Sequence, residues 1–183
     1  MICLILSIFA VVTPLALHAD TRAGIVDVSI RKETENLEVS FRIANCFTPK
    51  MEEAIQNGIP TTFRIRVTLE KPSLMLVKSP MVDFTVEHTI AYNRLNNEYQ
   101  VYLQEHPQKT LVTKDFEQAK EWMSTVKSLP VTFTCLLCMD QEYTLKLKAE
   151  LSKVSLPLIL RYIFFWISLW DFETDWQRVS VVL

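Results

Sequence analysis

The sequence predicts a mainly antiparallel β-sandwich of about seven to nine strands with two short helices, and three observations carry that reading. Apolar and polar residues alternate along many separate stretches, most cleanly in Tyr143-Thr-Leu-Lys-Leu-Lys-Ala-Glu-Leu151. A period of two marks a strand with one face buried and the other wet. Such stretches recur between turn signals from Val26 to Leu151, whereas helical periodicity is confined to two short segments. An immunoglobulin-like arrangement is one architecture that this pattern allows.

Taken in order, the chain begins with an uncharged apolar run, Ile2 to Val12, followed by Pro14 and the small-residue approach Leu17-His18-Ala19. That order fits a secretory signal over residues 1–19 cleaved after Ala19, although a positive n-region is missing. A buried helix or an uncleaved anchor are the alternatives, and the run is short for a span of ~20 residues. Residues 20–183 then form one domain, the size at which a single core is sufficient.

Val26, Val28 and Ile30 alternate with Asp27, Ser29 and Arg31, and Leu37, Val39, Phe41 and Ile43 do the same after the polar break Glu33-Thr-Glu-Asn36. The two runs read as a hairpin. Thr48 can cap a short helix with Pro49 at its first position, Glu52 and Glu53 near its positive end and Gly58 past its last turn. Its inward stripe is Met51, Ala54 and Ile55. Phe63, Ile65, Val67 and Leu69 mark the next strand, stopped before Pro72.

Val82, Phe84 and Val86, then Tyr99, Val101 and Leu103, form a second hairpin around Asn93 to Asn97. From Asp115 to Ser128 the period becomes helical, with Phe116, Ala119, Trp122, Met123 and Val126 on one face, a lid for the sheet that Pro130 ends. Val131, Phe133, Cys135 and Leu137 begin a strand whose natural partner is Tyr143 to Leu151 across Met139-Asp-Gln-Glu142. The last segment is different in kind: Leu156 to Leu160 and Tyr162 to Trp170 are strongly apolar, with Pro157 and Arg161 cutting the run short for a membrane span. It reads as a buried closing element, as a patch for a partner or a membrane interface, or as a span.

Composition excludes several functions. The chain is 49% hydrophobic with two glycines, so it is neither disordered nor able to build a Gly-rich phosphate loop. Nineteen basic residues against 21 acidic ones leave a formal charge of -2 and no positive field for nucleic acid. Cys135-Leu-Leu-Cys138 has the spacing of a thiol redox pair but lies in a strand-like run with no helix after it. Residues three apart on a strand point to opposite faces, which leaves apolar packing or a structural disulfide involving Cys46 or this pair as the alternatives.

Zinc lacks a second pair of ligands at suitable spacing. His88 falls in phase with Val82, Phe84 and Val86, as a core-edge histidine with a hydrogen-bond partner would, and His106 precedes Pro107 in a loop. Neither has an identifiable Ser or Cys partner. Asp171, Glu173 and Asp175 alternate and in an extended segment could face a hard cation, but neither EF-hand spacing nor its glycine is present and a solvated turn is the favoured reading. The residues single out no catalytic, cofactor-binding or metal-binding group.

Leu156-Pro-Leu, Arg161-Tyr162, Asp171-Phe-Glu-Thr-Asp-Trp176 and the helix-Gly-Ile-Pro stretch at Ala54 to Pro60 resemble an uncharacterised family of exported bacterial proteins, domain of unknown function 4390. The resemblance covers the whole mature chain and carries no catalytic residues; Cys135 and Cys138 lie outside its pattern. It implies a signal-bearing envelope protein, periplasmic or on the outer face of the inner membrane, with a weak link to membrane sensor systems.

The resulting expectation is a non-enzymatic envelope protein, without cofactors, that works as an interaction module. Its surface would comprise Tyr162, Phe165, Trp166, Trp170, Phe172 and Trp176, covered by an envelope protein or a membrane surface and not by nucleic acid or a nucleotide. The alternative is a carrier of an apolar small molecule or lipid in a cavity between the sheets.

Overall fold

A computed structural model describes residues 22–71, 80–137, 141–152 and 172–182, apart from the side chain of Cys135. Nine strands, two helices and one 3-10 turn make up these residues. The strands are β1 (Gly24–Lys32), β2 (Asn36–Ala44), β3 (Thr61–Glu70), β4 (Pro80–Asn93), β5 (Glu98–Leu103), β6 (Thr110–Thr113), β7 (Thr125–Phe133), β8 (Glu142–Leu151) and β9 (Gln177–Val182). Helix α1 covers Pro49–Gln56 and α2 covers Phe116–Ser124.

Every pairing is antiparallel, in a three-stranded sheet ordered β1-β2-β7 and a six-stranded sheet ordered β6-β5-β4-β3-β8-β9. The predicted β-sandwich is the observed architecture, with a three-and-six division more uneven than that of immunoglobulin sandwiches.

Alternation explains the core. Leu37, Val39, Phe41 and Ile43 from β2, Phe63, Ile65, Val67 and Leu69 from β3, and Tyr143, Leu145, Leu147 and Ala149 from β8 are all buried and share one apolar cluster. β1 overlies β8 and β9, while α2 lids the half of the large sheet made by β4, β5 and β6. Phe116 anchors that lid, its ring stacked 4.8 Å from the ring of Tyr99. Lys120 ties the two helices together, 2.7 Å from Glu52 of α1 and 2.7 Å from Glu117.

Helix α1 forms as its sequence predicts. Thr48 Oγ1 accepts the Met51 N–H at 3.3 Å, Pro49 opens the first turn, and Gly58 ends the helix with φ +84°. Both hairpins, β1–β2 and β4–β5, are present.

Four local expectations are corrected. Asp27 adopts φ +56° in a bulge, which shifts the phase of β1; Ile25 and then Val28 turn inward, and Val26 sits opposite the exposed Arg42. The second helix ends at Ser124 rather than Ser128, because Val126 finds a buried place opposite Phe41 on β2. That strand pairing outweighs the weak helical preference of Thr125 and Val126.

Pro130 therefore lies within β7, tolerated because β7 is an edge strand. Finally, β7 does not pair with β8. β7 is already committed to β2 in the small sheet, and β8 lies between β3 and β9, with Leu145 opposite Leu69 and Leu147 opposite Val67. The chain leaves β7 through a turn at Thr134–Leu136, where Phe133 is exposed instead of buried. β6 and β9 are strands that the sequence analysis did not assign.

Candidate functional site

The polar halves of β4, β3 and β8 converge on the outer face of the six-stranded sheet. Register places Glu87, Arg64 and Glu150 on one rung, Thr85, Arg66 and Lys148 on the next, and Asp83, Thr68 and Lys146 on the third. Arg66 and Lys148 are like charges directly opposite each other, which disfavours close approach.

Each cation turns away. Arg66 makes a two-pronged pair with Asp83 at 2.9 and 2.6 Å, and Lys148 pairs with Glu173. Arg64 Nε donates to Glu87 Oε1 at 2.9 Å. The hydrogen bond from Arg66, reinforced by its charge, holds the Asp83 carboxyl below the usual range, and Asp83 in turn raises Arg66. The rungs and their neighbours enclose a basin of about 680 Å3 whose wall also includes Gln104 and Trp176.

Trp176 reaches this wall because the chain before it is fastened. Phe172 O accepts the Leu151 N–H at 3.0 Å, and Thr174 N–H donates to Ala149 O at 2.9 Å. The Thr174 hydroxyl accepts the Ala149 N–H at 3.0 Å, so one buried threonine takes the place of a strand partner. Lys148 Nζ then lies 5.5 Å from the centre of the Trp176 ring. Beside the basin Glu70 pairs with Lys146 at 2.5 Å, while its other carboxylate oxygen is buried with no hydrogen-bond partner.

A second ionic group is on the opposite side of the sheet. His88 is fully buried, its Nδ1 2.9 Å from Met123 O and its Nε2 2.8 Å from Glu105 Oε1. Burial favours the neutral form of Glu105, but the hydrogen bond and charge of His88 outweigh it and hold the carboxyl below the usual range. Each ring nitrogen of His88 is thus within hydrogen-bond distance of a protein oxygen. Both nitrogens are taken up by the protein, and neither is directed at an open site. The pair joins β4, the turn after β5 and the end of α2.

Of the expected interaction surface, Tyr162, Phe165, Trp166 and Trp170 lie outside the described residues. Phe172 is a correction: it is buried, its ring edge-on to Phe63 at 4.8 Å, because it closes the core where β8 ends. Trp176 is half-buried on the basin wall.

His88 has the hydrogen-bond partners expected of it, and His106 lies in the turn after β5. Cys46 is a buried free thiol that donates to Ile43 O at 3.3 Å, and burial pushes it up to about 12. Cys138 and the Cys135 side chain lie outside the described residues, as do residues 1–19 and Asp171. Glu173 is committed to Lys148, and no group of three or more metal-ligating side chains occurs among the described residues. No helix among them is long and apolar enough to cross a membrane.

The sequence analysis missed Arg64, Arg66, Asp83, Glu87, Lys148 and Glu150 as a group. Each was visible only as the polar half of an alternating strand, and the strand order that gathers them was not.

Fold and face define a class: an antiparallel two-sheet protein with a polar, charge-balanced basin on the outside of its larger sheet. The family model described as domain of unknown function 4390 matches residues 20–180. The chain belongs to that family. No curated protein and no solved structure matches it significantly.

Proposed function

We propose that the protein is a non-enzymatic, exported component of the cell envelope that acts as a binding module, with the outer face of β4, β3 and β8 as its binding surface. The observation that carries this reading is the 680 Å3 basin, walled by side chains already held by one another and bordered by an aromatic ring. Such a wall is preorganised for contact, and preorganisation lowers the ordering cost of binding. The buried histidine supports the non-enzymatic part, since both its nitrogens are occupied. Export rests on the order of residues in Met1 to Ala19.

A photo-crosslinking residue at Thr85, at the centre of the basin, tests this in cells of the native host. Adducts at Thr85 together with none at Leu95, which is fully exposed in the β4–β5 turn, are the expected result. Equal labelling at both positions, or none at Thr85, overturns the assignment.

A second reading, carriage of an apolar molecule between the sheets, rests on a different observation. Val28, Ile30 and Leu37 of the small sheet and Val179, Val181 and Val182 of β9 line a groove of about 440 Å3 where the sheets' edges meet. Native mass spectrometry on protein purified from its host distinguishes the two, because a carrier retains its cargo.

A further inference from the structure

We infer that the basin on β4, β3 and β8 binds a neutral, polyhydroxylated ligand, a saccharide chain of the envelope. The inference rests on the binding-module reading and names the chemistry of the ligand at that same face.

Charge balance is the first argument. Arg64, Arg66 and Lys148 face Asp83, Glu87 and Glu150, three cations against three carboxylates. Their fields cancel at the distance of an approaching ligand, and an anionic or cationic chain would meet a like charge for every opposite one. A hydroxyl group has no such conflict, because it both donates and accepts. An uncharged ligand studded with hydroxyls can therefore satisfy the array, whereas a polyanion, a polycation or a charged lipid surface cannot do so evenly.

The second argument concerns unspent hydrogen-bonding capacity. Among the described residues, Arg64 engages Glu87 through Nε alone, and Glu150 forms no ion pair. Gln104 gives its carbonyl oxygen to the Glu87 N–H at 2.8 Å, leaving the amide NH2 for a ligand. Planar groups that present two donors or two acceptors side by side suit neighbouring hydroxyls better than isolated charges do. Neighbouring strands set such groups about 4.8 Å apart within a rung, and the rungs repeat every second residue, about 6.8 Å along the strands.

Trp176 supplies the third. A saccharide ring is polar at its rim and carries C–H groups on its faces, and those faces pack on the apolar body of an indole. Here the indole sits at the wall of a polar basin, half-buried, fastened by Thr174 and Phe172, with Lys148 beside the ring. Ligand pockets are mostly apolar with a few polar groups. This one reverses the proportion, as a ligand covered in hydroxyls requires. Its 680 Å3 has room for more than one sugar ring.

The test is a titration of the isotope-labelled protein, followed by NMR, with four probes: a tetramer of glucose, a tetramer of N-acetylglucosamine, a tetra-aspartate peptide and phosphatidylglycerol vesicles. At least one tetrasaccharide is expected to shift the Trp176 indole and the backbone signals of Arg66, Thr85 and Lys148 at millimolar concentration, while the charged probes leave them unmoved. Trp176→Ala should weaken that affinity by about tenfold or more, with the amide spectrum of the buried strands unchanged. Arg64→Gln, chosen because its side chain is about half exposed, should weaken it severalfold.

Silence from both saccharides, shifts confined to the β1–β9 groove, or binding of the charged probes alone overturns the inference. If the saccharides are silent while Thr85 still forms adducts in cells, the ligand class falls and the binding module stands. If Thr85 forms none, both fall.

Discussion

The two faces of the six-stranded sheet are made by the same strands and the same alternation, yet they hold opposite kinds of interaction. Phe63, Ile65, Val67 and Leu69 point inward from β3 and are fully buried. Between them, Arg64 and Arg66 point outward, their side chains about half exposed even while paired at 2.9 and 2.6 Å. Burial of large apolar groups stabilises by kilocalories per side chain, whereas exposed ion pairs contribute a fraction of one. The fold is therefore held from the inside, and the outer rows are released to serve recognition. Variants that cross this division test it most severely.

The largest effect is expected from Phe63→Ala. Phe63 is fully buried, its ring 5.3 Å from that of Phe47 and 4.8 Å from that of Phe172 between centres, so its removal leaves a void between two rigid rings. A loss of about 4 kcal/mol in urea unfolding is expected. Next comes His88→Ala, which leaves the Glu105 side chain buried without its hydrogen-bond partner and should cost about 3 kcal/mol. This inner ionic pair sharpens the comparison, because the same kind of contact that counts for little outside becomes costly to break inside.

Acid separates the two variants further. Glu105 is held below its unfolded value, so its contribution is present above the usual carboxylate range and is lost as pH falls through the folded value. In wild-type protein the urea midpoint should fall as pH is lowered from about 6 to about 3. In His88→Ala the hydrogen bond and charge of His88 are gone while burial remains, opposed only by a backbone hydrogen bond and the charge of His106, so Glu105's own contribution to that slope should shrink. An acid-side slope identical in both proteins would show that the pair contributes nothing.

Thr48→Ala is expected to cost about 1 kcal/mol, the worth of one helix cap, read by the same unfolding curve. Helix α1 also shows what the sequence could disclose. Thr48, Pro49 and Gly58 act on their own neighbours, and a local cause is legible locally. The same holds for β2, β3 and β8, whose alternation is regular.

Legibility ended where a distant partner decided the outcome. Nothing near Asp27 announces φ +56°, and the helical spacing of Trp122, Met123 and Val126 continues past the point where β2 captures the chain. The basin is the extreme case. Arg66, Asp83, Lys148 and Trp176 come together only through the order β4-β3-β8 and the fastening of Thr174, and none of these appears in any one stretch of sequence. Trp176 could be singled out as an aromatic residue. Its charged neighbours could not be told from an ordinary wet face.

The smallest effect on stability, and the one that bears most directly on the division between faces, is expected from Arg64→Gln. The Arg64 and Glu87 side chains are both about half exposed, so solvent screens their attraction and the uncharged glutamine keeps an outward, hydrogen-bonding side chain on β3. A change within about 0.5 kcal/mol is expected by urea unfolding. Glu87 would not be stranded, since water reaches it and Gln104 still holds its backbone N–H. A loss comparable to that of Phe63→Ala would mean that the outer rows carry the sheet after all, for instance through ties between β3 and β4 that the apolar face alone cannot maintain. A negligible loss, with in-cell adducts at Thr85 reduced, would place the work of Arg64 in recognition.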